Sequence, residues 1–220
     1  MYATRDHRSI FEGIYRRNEW GSPESVSGPG SSLARGAALT PALLALLREL
    51  GTRRLIDAPC GDLNWISEVA DAMDEYVGVD VVRDLIAQNR RRHAEPNRTF
   101  LCLDIVRHTI PRGDVILCRD GLVHFSFADI RAALARFAAS GTPLLLTTTF
   151  IDRPTNADIR TGGWRPLNLE QPPFEFPPPL RVVDEQCVHS GGIYRDKRLA
   201  LWEIRALAAA PGGQSGAAER

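Results

Sequence analysis

Leu55–Trp65 reads LIDAPCGDLNW, and this stretch decides the fold. An apolar run ends at a proline, a cysteine and a single glycine, Gly61, and then passes into the helical pattern LNWISEVADAM. Strand, tight turn, helix is the junction at which open α/β sheets hold nucleotides. A dinucleotide fold wants G-x-G-x-x-G here, so that the backbone can touch a pyrophosphate at the helix N-terminus. This turn has one glycine and flanking carboxylates at Asp57 and Asp62. Acids repel a pyrophosphate. They suit a ligand that carries positive charge and no phosphate.

Outward from this turn the pattern alternates. RRLIDA, EYVGVD, RTFLCLD, GDVILCRD and TPLLLTTTF read as strands, and VVRDLIAQNRRRH and FADIRAALARFAA (Phe127 to Ala139) as helices. Continuous apolar runs such as VILC suit strands buried on both faces of a parallel sheet, and strands alternating with helices build a doubly wound sheet. Upstream, Thr4 to Asn18 has Ile10, Phe11, Ile14 and Tyr15 at helical spacing. Glu19 to Ser32, EWGSPESVSGPGSS, reads as a lid over a site or as a plain linker. LTPALLALLREL starts a helix with Thr40 as N-cap and Pro41 at the first position. Downstream, Asp152 to Pro179 is irregular and holds seven prolines; two strand-like runs around Gly191-Gly192 then form an antiparallel hairpin, on which His189 reads as structural. The expected fold is α/β: a doubly wound, mostly parallel, seven-stranded sheet with a C-terminal antiparallel hairpin. Residues 1–35 form an N-terminal helix and lid loop, 36–207 the main domain, and 208–220 a disordered tail.

Composition narrows the function. Lys+Arg and Asp+Glu are equal at 27 each, which argues against nucleic-acid binding through a general positive field. Lys197 is the only lysine, a hint of a GC-rich genome. Cys60, Cys102, Cys118 and Cys187 form no C-x-x-C pair, so a metal cluster is not expected, and the thiols read as reduced. No apolar run approaches 18 residues, and the charged N-terminus is not a secretory signal. The expected setting is cytoplasmic, as a monomer or homodimer with a small-molecule partner and neither nucleic acid nor membrane.

The polar residues at the strand ends are Asp57, Asp80, Asp104, Arg119 with Asp120, and Thr147 to Thr149. Asp80 falls 23 residues after Asp57, a spacing at which a carboxylate accepts the ribose diol of a nucleoside; the bland reading is a cap on the next helix. Asp104 reads as an acceptor for adenine's amine or as another cap. S-adenosylmethionine is one such ligand: a nucleoside with a sulfonium and an amino-acid end.

The series LIDAPCGDLNW, YVGVDVV, FLCLDI and VILCRDGLVHF resembles the successive motifs of class I S-adenosylmethionine-dependent methyltransferases. With ESVSGPGS, TTTF and NADIRTGGWRPLNL, the chain looks like a bacterial group with D-x-P-C-G-D in place of the usual glycine-rich motif, over roughly residues 10 to 205. The resemblance implies S-adenosyl-L-methionine as cofactor. It implies that Asp57, Ala58, Cys60 and Gly61 face the cofactor's methionine end, with Arg119 beneath. Asp80 with Val81 would hold the ribose and Asp104 with Ile105 the adenine. Trp20, at the edge of the early loop, would close over the cofactor if that loop is a lid. Pro59 and Leu63, standing where the common motif has glycines, imply a stiffer turn.

Methyl transfer needs a held acceptor and, for a hydroxyl, a base. Asp120 and His124 follow the fourth strand and are the catalytic candidates. His124 is a base or a packed structural histidine; Asp120 is a base or a binder of an amine or hydroxyl. Asn156, Asp158, Trp164 and Arg165 in the long loop suit a polar acceptor, or tie the loop to itself. The expected activity is methylation of oxygen or nitrogen on a small polar metabolite, sugar or peptide-derived intermediate. The alternatives are a nucleotide-dependent oxidoreductase and a non-catalytic S-adenosylmethionine-binding module.

Overall fold

The computed structural model describes residues 6–187 and 190–208. His189 and residues 209–220 of the expected 208–220 tail lie outside these residues, while Ala208 ends the last helix. The elements are α1 (His7–Arg17), α2 (Leu33–Glu49), β1 (Arg54–Asp57), α3 (Ser67–Asp71), β2 (Glu75–Asp80), α4 (Arg83–Arg92), β3 (Arg98–Cys102), β4 (Val115–Cys118), α5 (Phe127–Ala139), β5 (Leu144–Phe150), β6 (Arg181–Asp184), β7 (Lys197–Glu203) and α6 (Ile204–Ala208).

The seven strands form one sheet in the order β3-β2-β1-β4-β5-β7-β6. The first five run parallel. β7 is antiparallel to both β5 and β6. The strand order reverses between β1 and β4, so their carboxyl ends open a crevice at the switch point. The period of two is plain in β4: Val115 and Leu117 pack into the core on one face, Ile116 and Cys118 into the core on the other. α2 and α3 cover the first face, α1 and α5 the second.

Two helices differ from expectation. α2 begins at Leu33, so Pro41 lies inside it and Thr40 is buried rather than capping. Proline removes one intrahelical hydrogen bond, but Leu39, Leu43 and Leu47 are all fully buried, and that packing carries the helix through the break. α3 is only Ser67–Asp71, because Leu63 sits at φ +60° and the chain turns before it can become helical. α5 matches its expected span, and the Ser126 hydroxyl accepts from the Asp129 amide as its N-cap. The long loop after β5 is ordered by burial of Leu167, Leu169, Phe174 and Phe176.

Candidate functional site

A cavity opens at the carboxyl ends of β1 to β4, with about 950 Å³ of empty space, part of it open to solvent. Trp20, Cys60, Gly61, Asp80, Val81, Asp104, Ile105, Arg119, Asp120 and His124 all border it. Asp57 and Ala58 do not. Ala58 is fully buried, its amide donating 2.9 Å to the Leu117 carbonyl. Asp57 turns below the floor, where the Tyr76 hydroxyl donates to it at 2.5 Å. Burial pushes its pKa up to about 7.

The turn after β1 is shaped by two close approaches. Pro59 packs on Gly121: a Cβ there would stand 2.6 Å from the proline Cδ. Gly61 has φ +55°, and a Cβ would stand 2.2 Å from Ser27 Oγ. The loop Glu19–Ser32 therefore lies directly on the turn. Asp62 holds it there, accepting from Ser25 Oγ at 2.9 Å and the Val26 amide at 3.0 Å. Asn64 donates to Glu24 Oε1 and to the Ser31 carbonyl, both at 2.9 Å. Arg119 Nη1 donates to the Gly30 carbonyl at 3.0 Å. Trp20, Val26, Ser27 and Ser31 thus form the cavity's cover.

Asp80 accepts from the Val82 amide at 3.0 Å and the Gly61 amide at 3.3 Å. Val82, not Asp80, is the N-cap of α4. Each Asp80 oxygen keeps a lone pair for a ligand. Burial raises its pKa to about 6, so it is mostly ionised at neutral pH. Asp104 accepts from the Val106 amide at 2.9 Å and from His7 Nδ1 at 2.9 Å. Burial pushes Asp104 upward, but these contacts outweigh it and leave the carboxyl below its usual range. His7, whose Nε2 also lies 3.3 Å from Asp129, is raised above its ordinary value chiefly by the Asp104 hydrogen bond. His7 comes from the distant α1, and nothing in its spacing marked it.

At the end of β4, Asp120 has φ +52°, a left-handed conformation that Asp tolerates better than most residues. Its Oδ2 accepts from Lys197 Nζ at 2.6 Å, and Lys197 also lies 3.0 Å from Glu185. Arg119 donates to Glu185 through Nη2 at 2.6 Å and Nε at 3.0 Å. Burial would raise the Asp120 pKa, but Lys197 and Arg119 hold it well below the usual carboxylate range. His124 Nδ1 lies 2.7 Å from the Gly163 carbonyl. A carbonyl only accepts, so Nδ1 carries the proton and Nε2 keeps a lone pair. Burial lowers the His124 pKa, and its ring packs on Trp20 with centroids 4.7 Å apart.

A second chamber, about 840 Å³ of empty space, adjoins the first and shares Trp20, Ser27, Asp120 and His124 with it. Phe150, Trp164, Tyr194, Arg35 and Lys197 also border it. Of the four residues expected to bind an acceptor, only Trp164 reaches this wall. Arg165 is buried and donates to the carbonyls of Leu122, Val123, Phe125 and Ala157. Asn156 donates to the Asn168 and Pro172 carbonyls, and Asp158 accepts from the Phe127 and Ile159 amides. These three hold the proline-rich loop, whose backbone lacks a sheet or helix to satisfy it. Among the described residues no group of three or more His, Cys, Asp or Glu is placed to hold a metal, and no helix is long and apolar enough to cross a membrane. Cys60, Cys102 and Cys118 are unbridged thiols.

A mostly parallel sheet with an antiparallel C-terminal pair, and a cavity at its switch point, define the class I methyltransferase fold. The family described as "Methyltransferase domain" matches residues 55–143. Uncharacterized methyltransferases of Mycobacterium tuberculosis and Mycobacterium bovis are 28% identical over 127 residues, 56% of this chain and 61% of theirs. The chain thus spans about three fifths of the length of these curated relatives. An N-methyltransferase from Bradyrhizobium japonicum superposes with TM-score 0.55 at 14% identity, over 74% of this chain and 95% of that one. A magnesium protoporphyrin IX methyltransferase from Synechocystis, solved with bound S-adenosylmethionine, gives 0.51 at 17% identity over 72% and 83%. At these identities the likeness is one of fold.

Proposed function

We propose that this protein is an S-adenosylmethionine-dependent methyltransferase that methylates an oxygen or nitrogen of a small-molecule acceptor, a polar metabolite, sugar or peptide-derived intermediate among the candidates. The observation that carries the reading is the pair of chambers sharing one wall at Asp120 and His124. Transfer between two bound molecules needs adjoining chambers that bring donor and acceptor together, with Asp120 and His124 at their junction.

The first chamber fits the cofactor. Asp62, Asp80, Asp104 and Asp120 border it, against Arg119 and His7, a balance hostile to phosphate and suited to a sulfonium. Asp80 would hold the ribose diol, and Val81, Leu85 and Ile105 supply apolar surface for a flat base. Asp104 already receives His7, so His7 and Asp104 together form the edge that adenine would meet. Arg119, charge-paired to Glu185, forms part of the wall toward the methionine end. When bound, S-adenosylmethionine supplies an electrophilic methyl group.

The chain's own residues do the rest. His124, kept neutral by burial, takes the acceptor's proton at Nε2. Its Nδ1–H is fixed on the Gly163 carbonyl, which sets the ring's orientation. Asp120, ionised beside it, stabilises the imidazolium that forms. Asp120 itself is a poor base, because Lys197 and Arg119 keep it ionised far below neutrality. Trp20 and Phe125 shield the site from water.

Calorimetric titration with S-adenosylmethionine, S-adenosylhomocysteine and NAD tests this. Both adenosyl ligands should bind and NAD should not; NAD binding with silence toward the others overturns the reading. Asp80→Ala should abolish S-adenosylhomocysteine binding, and an unchanged affinity removes the ribose role. Binding without turnover across a labelled-methyl screen of metabolite pools would point instead to a non-catalytic module.

A further inference from the structure

We propose that the second chamber takes an acceptor combining a flat ring with an anionic group, the anion being held by Arg35. The proposal rests on the methyltransferase reading for the word acceptor; the binding preference itself does not.

The charge pattern comes first. Arg119 and Lys197 are buried and share two buried or half-buried carboxylates, Glu185 and Asp120. Two cations and two anions cancel. Arg35, in the first turn of α2, borders the same chamber and makes no hydrogen bond or ion pair to any described residue. Among the described residues, its guanidinium is the one charge on this wall without a hydrogen-bonded or ion-paired partner. A guanidinium fork matches a carboxylate or phosphate edge two bonds at a time.

The ring follows from the aromatic residues that border the chamber. Phe150, Trp164 and Tyr194 form a mutual edge-to-face cluster, with Trp164 and Tyr194 centroids 5.1 Å apart and Phe150 and Trp164 6.2 Å apart. Trp164 stays 43% exposed although it is a large indole at the mouth of a cavity. The tilted Trp20–His124 pair, with ring centroids 4.7 Å apart, borders the same chamber. A chamber bordered by several aromatic rings favours a planar guest. Such rings also attract cations. A cationic guest, however, would meet Arg35 and Lys197, while Asp120 is already engaged by Lys197 at 2.6 Å. A neutral sugar would leave Arg35 unanswered.

The test uses three probes of one shape and different charge: benzoate, benzamide and benzylamine, titrated calorimetrically with and without saturating S-adenosylhomocysteine. Benzoate should bind about tenfold more tightly than benzamide, the worth of a charge-assisted hydrogen-bonded pair, and benzylamine weakest. Arg35→Ala should erase the benzoate advantage, and Arg35→Lys should keep part of it. Trp164→Ala should weaken benzoate and benzamide alike. Equal affinity for benzoate and benzamide, tighter benzylamine, no binding of any probe at millimolar concentration, or a preference that survives Arg35→Ala overturns the proposal. So does an Arg35→Ala variant that loses S-adenosylhomocysteine and keeps benzoate, since Arg35 would then serve the cofactor. If S-adenosylhomocysteine fails to bind while benzoate still outbinds benzamide, the methyltransferase reading falls and the anion site stands.

Discussion

Replacing Glu185 with leucine should cost about 3–5 kcal/mol of folding stability, the usual cost of removing one partner from a buried ionic cluster. Glu185 is 8% exposed, and its Oε2 receives three short contacts, two from Arg119 and one from Lys197. Without it, both buried cations share Asp120 alone, and one positive charge is left uncompensated. Glutamine should be milder. Its carbonyl oxygen can occupy the Oε2 position and keep the same donors. Its amide nitrogen then takes the place of Oε1, a buried atom with no hydrogen-bond partner among the described residues. The hydrogen bonds to the carbonyl oxygen stay, while their ionic part is lost and the new amide donors go unanswered, so roughly 2–3 kcal/mol is expected. At this chain length about 2–4 °C of melting temperature goes with each kcal/mol, which puts the leucine variant roughly 10 °C below the parent. Urea unfolding followed by circular dichroism measures the free energies. Pairing Glu185→Leu with Lys197→Met should cost less than the two separate losses together, because Arg119 and Asp120 then balance. A leucine variant within about 1 kcal/mol of the parent, or a glutamine variant as damaged as leucine, would refute the reasoning.

Other substitutions probe other links. Asp57 titrates near 3.8 when unfolded and at about 7 when folded, so its protonated form is favoured by folding: that contribution is complete below pH 4 and is lost as pH rises through about 7, on the order of 4 kcal/mol. Asp57→Asn, which keeps an acceptor for Tyr76, should flatten stability between pH 4 and pH 7; identical slopes for variant and parent speak against this. With a base lowered below 6.5, kcat/KM should rise with pH to a midpoint under that value and stay flat through neutrality, and His124→Gln should cut kcat on the order of a hundredfold without changing S-adenosylhomocysteine affinity. Full activity in that variant removes His124 as base. Gly61→Ala forces a left-handed alanine against Ser27, costing about 1 kcal/mol in backbone alone, and should weaken S-adenosylhomocysteine binding; adding Ser27→Ala should recover part of it in calorimetry. Ser126→Ala removes the α5 cap and should cost about 1 kcal/mol in urea unfolding, with no change in ligand binding.

The parallel strands were legible because each is a short apolar run between helical patterns, and burial on both faces demands that pattern. Their ends then marked Asp80, Asp104, Arg119, Asp120 and His124 as cavity residues, since topology alone brings strand ends together. His7, Arg35, Glu185 and Lys197 were not legible. They sit on α1, α2, and the segment around β6 and β7, and only packing decides which side chains of those elements reach the cavity. Lys197 carried a signal, being the one lysine in an arginine-rich chain. Arg165, Asn156 and Asp158 show the reverse. A polar side chain that satisfies loop carbonyls and amides looks, in sequence, like one that waits for a ligand. The surrounding prolines were the clue, since a proline-rich loop leaves backbone groups without regular partners.

That solitary lysine gives the protein an unusual chemical address. Every other positive side chain is an arginine or a histidine, so the chain has a single side-chain amine, and it stands 6% exposed between two carboxylates at the wall of the second chamber. Lysine-directed acylation or isotopic methylation therefore has one side-chain target. The rate at which that amine reacts becomes a clock for the opening of the buried cluster, and its resonance, once tagged, a reporter of what occupies the chamber beside it.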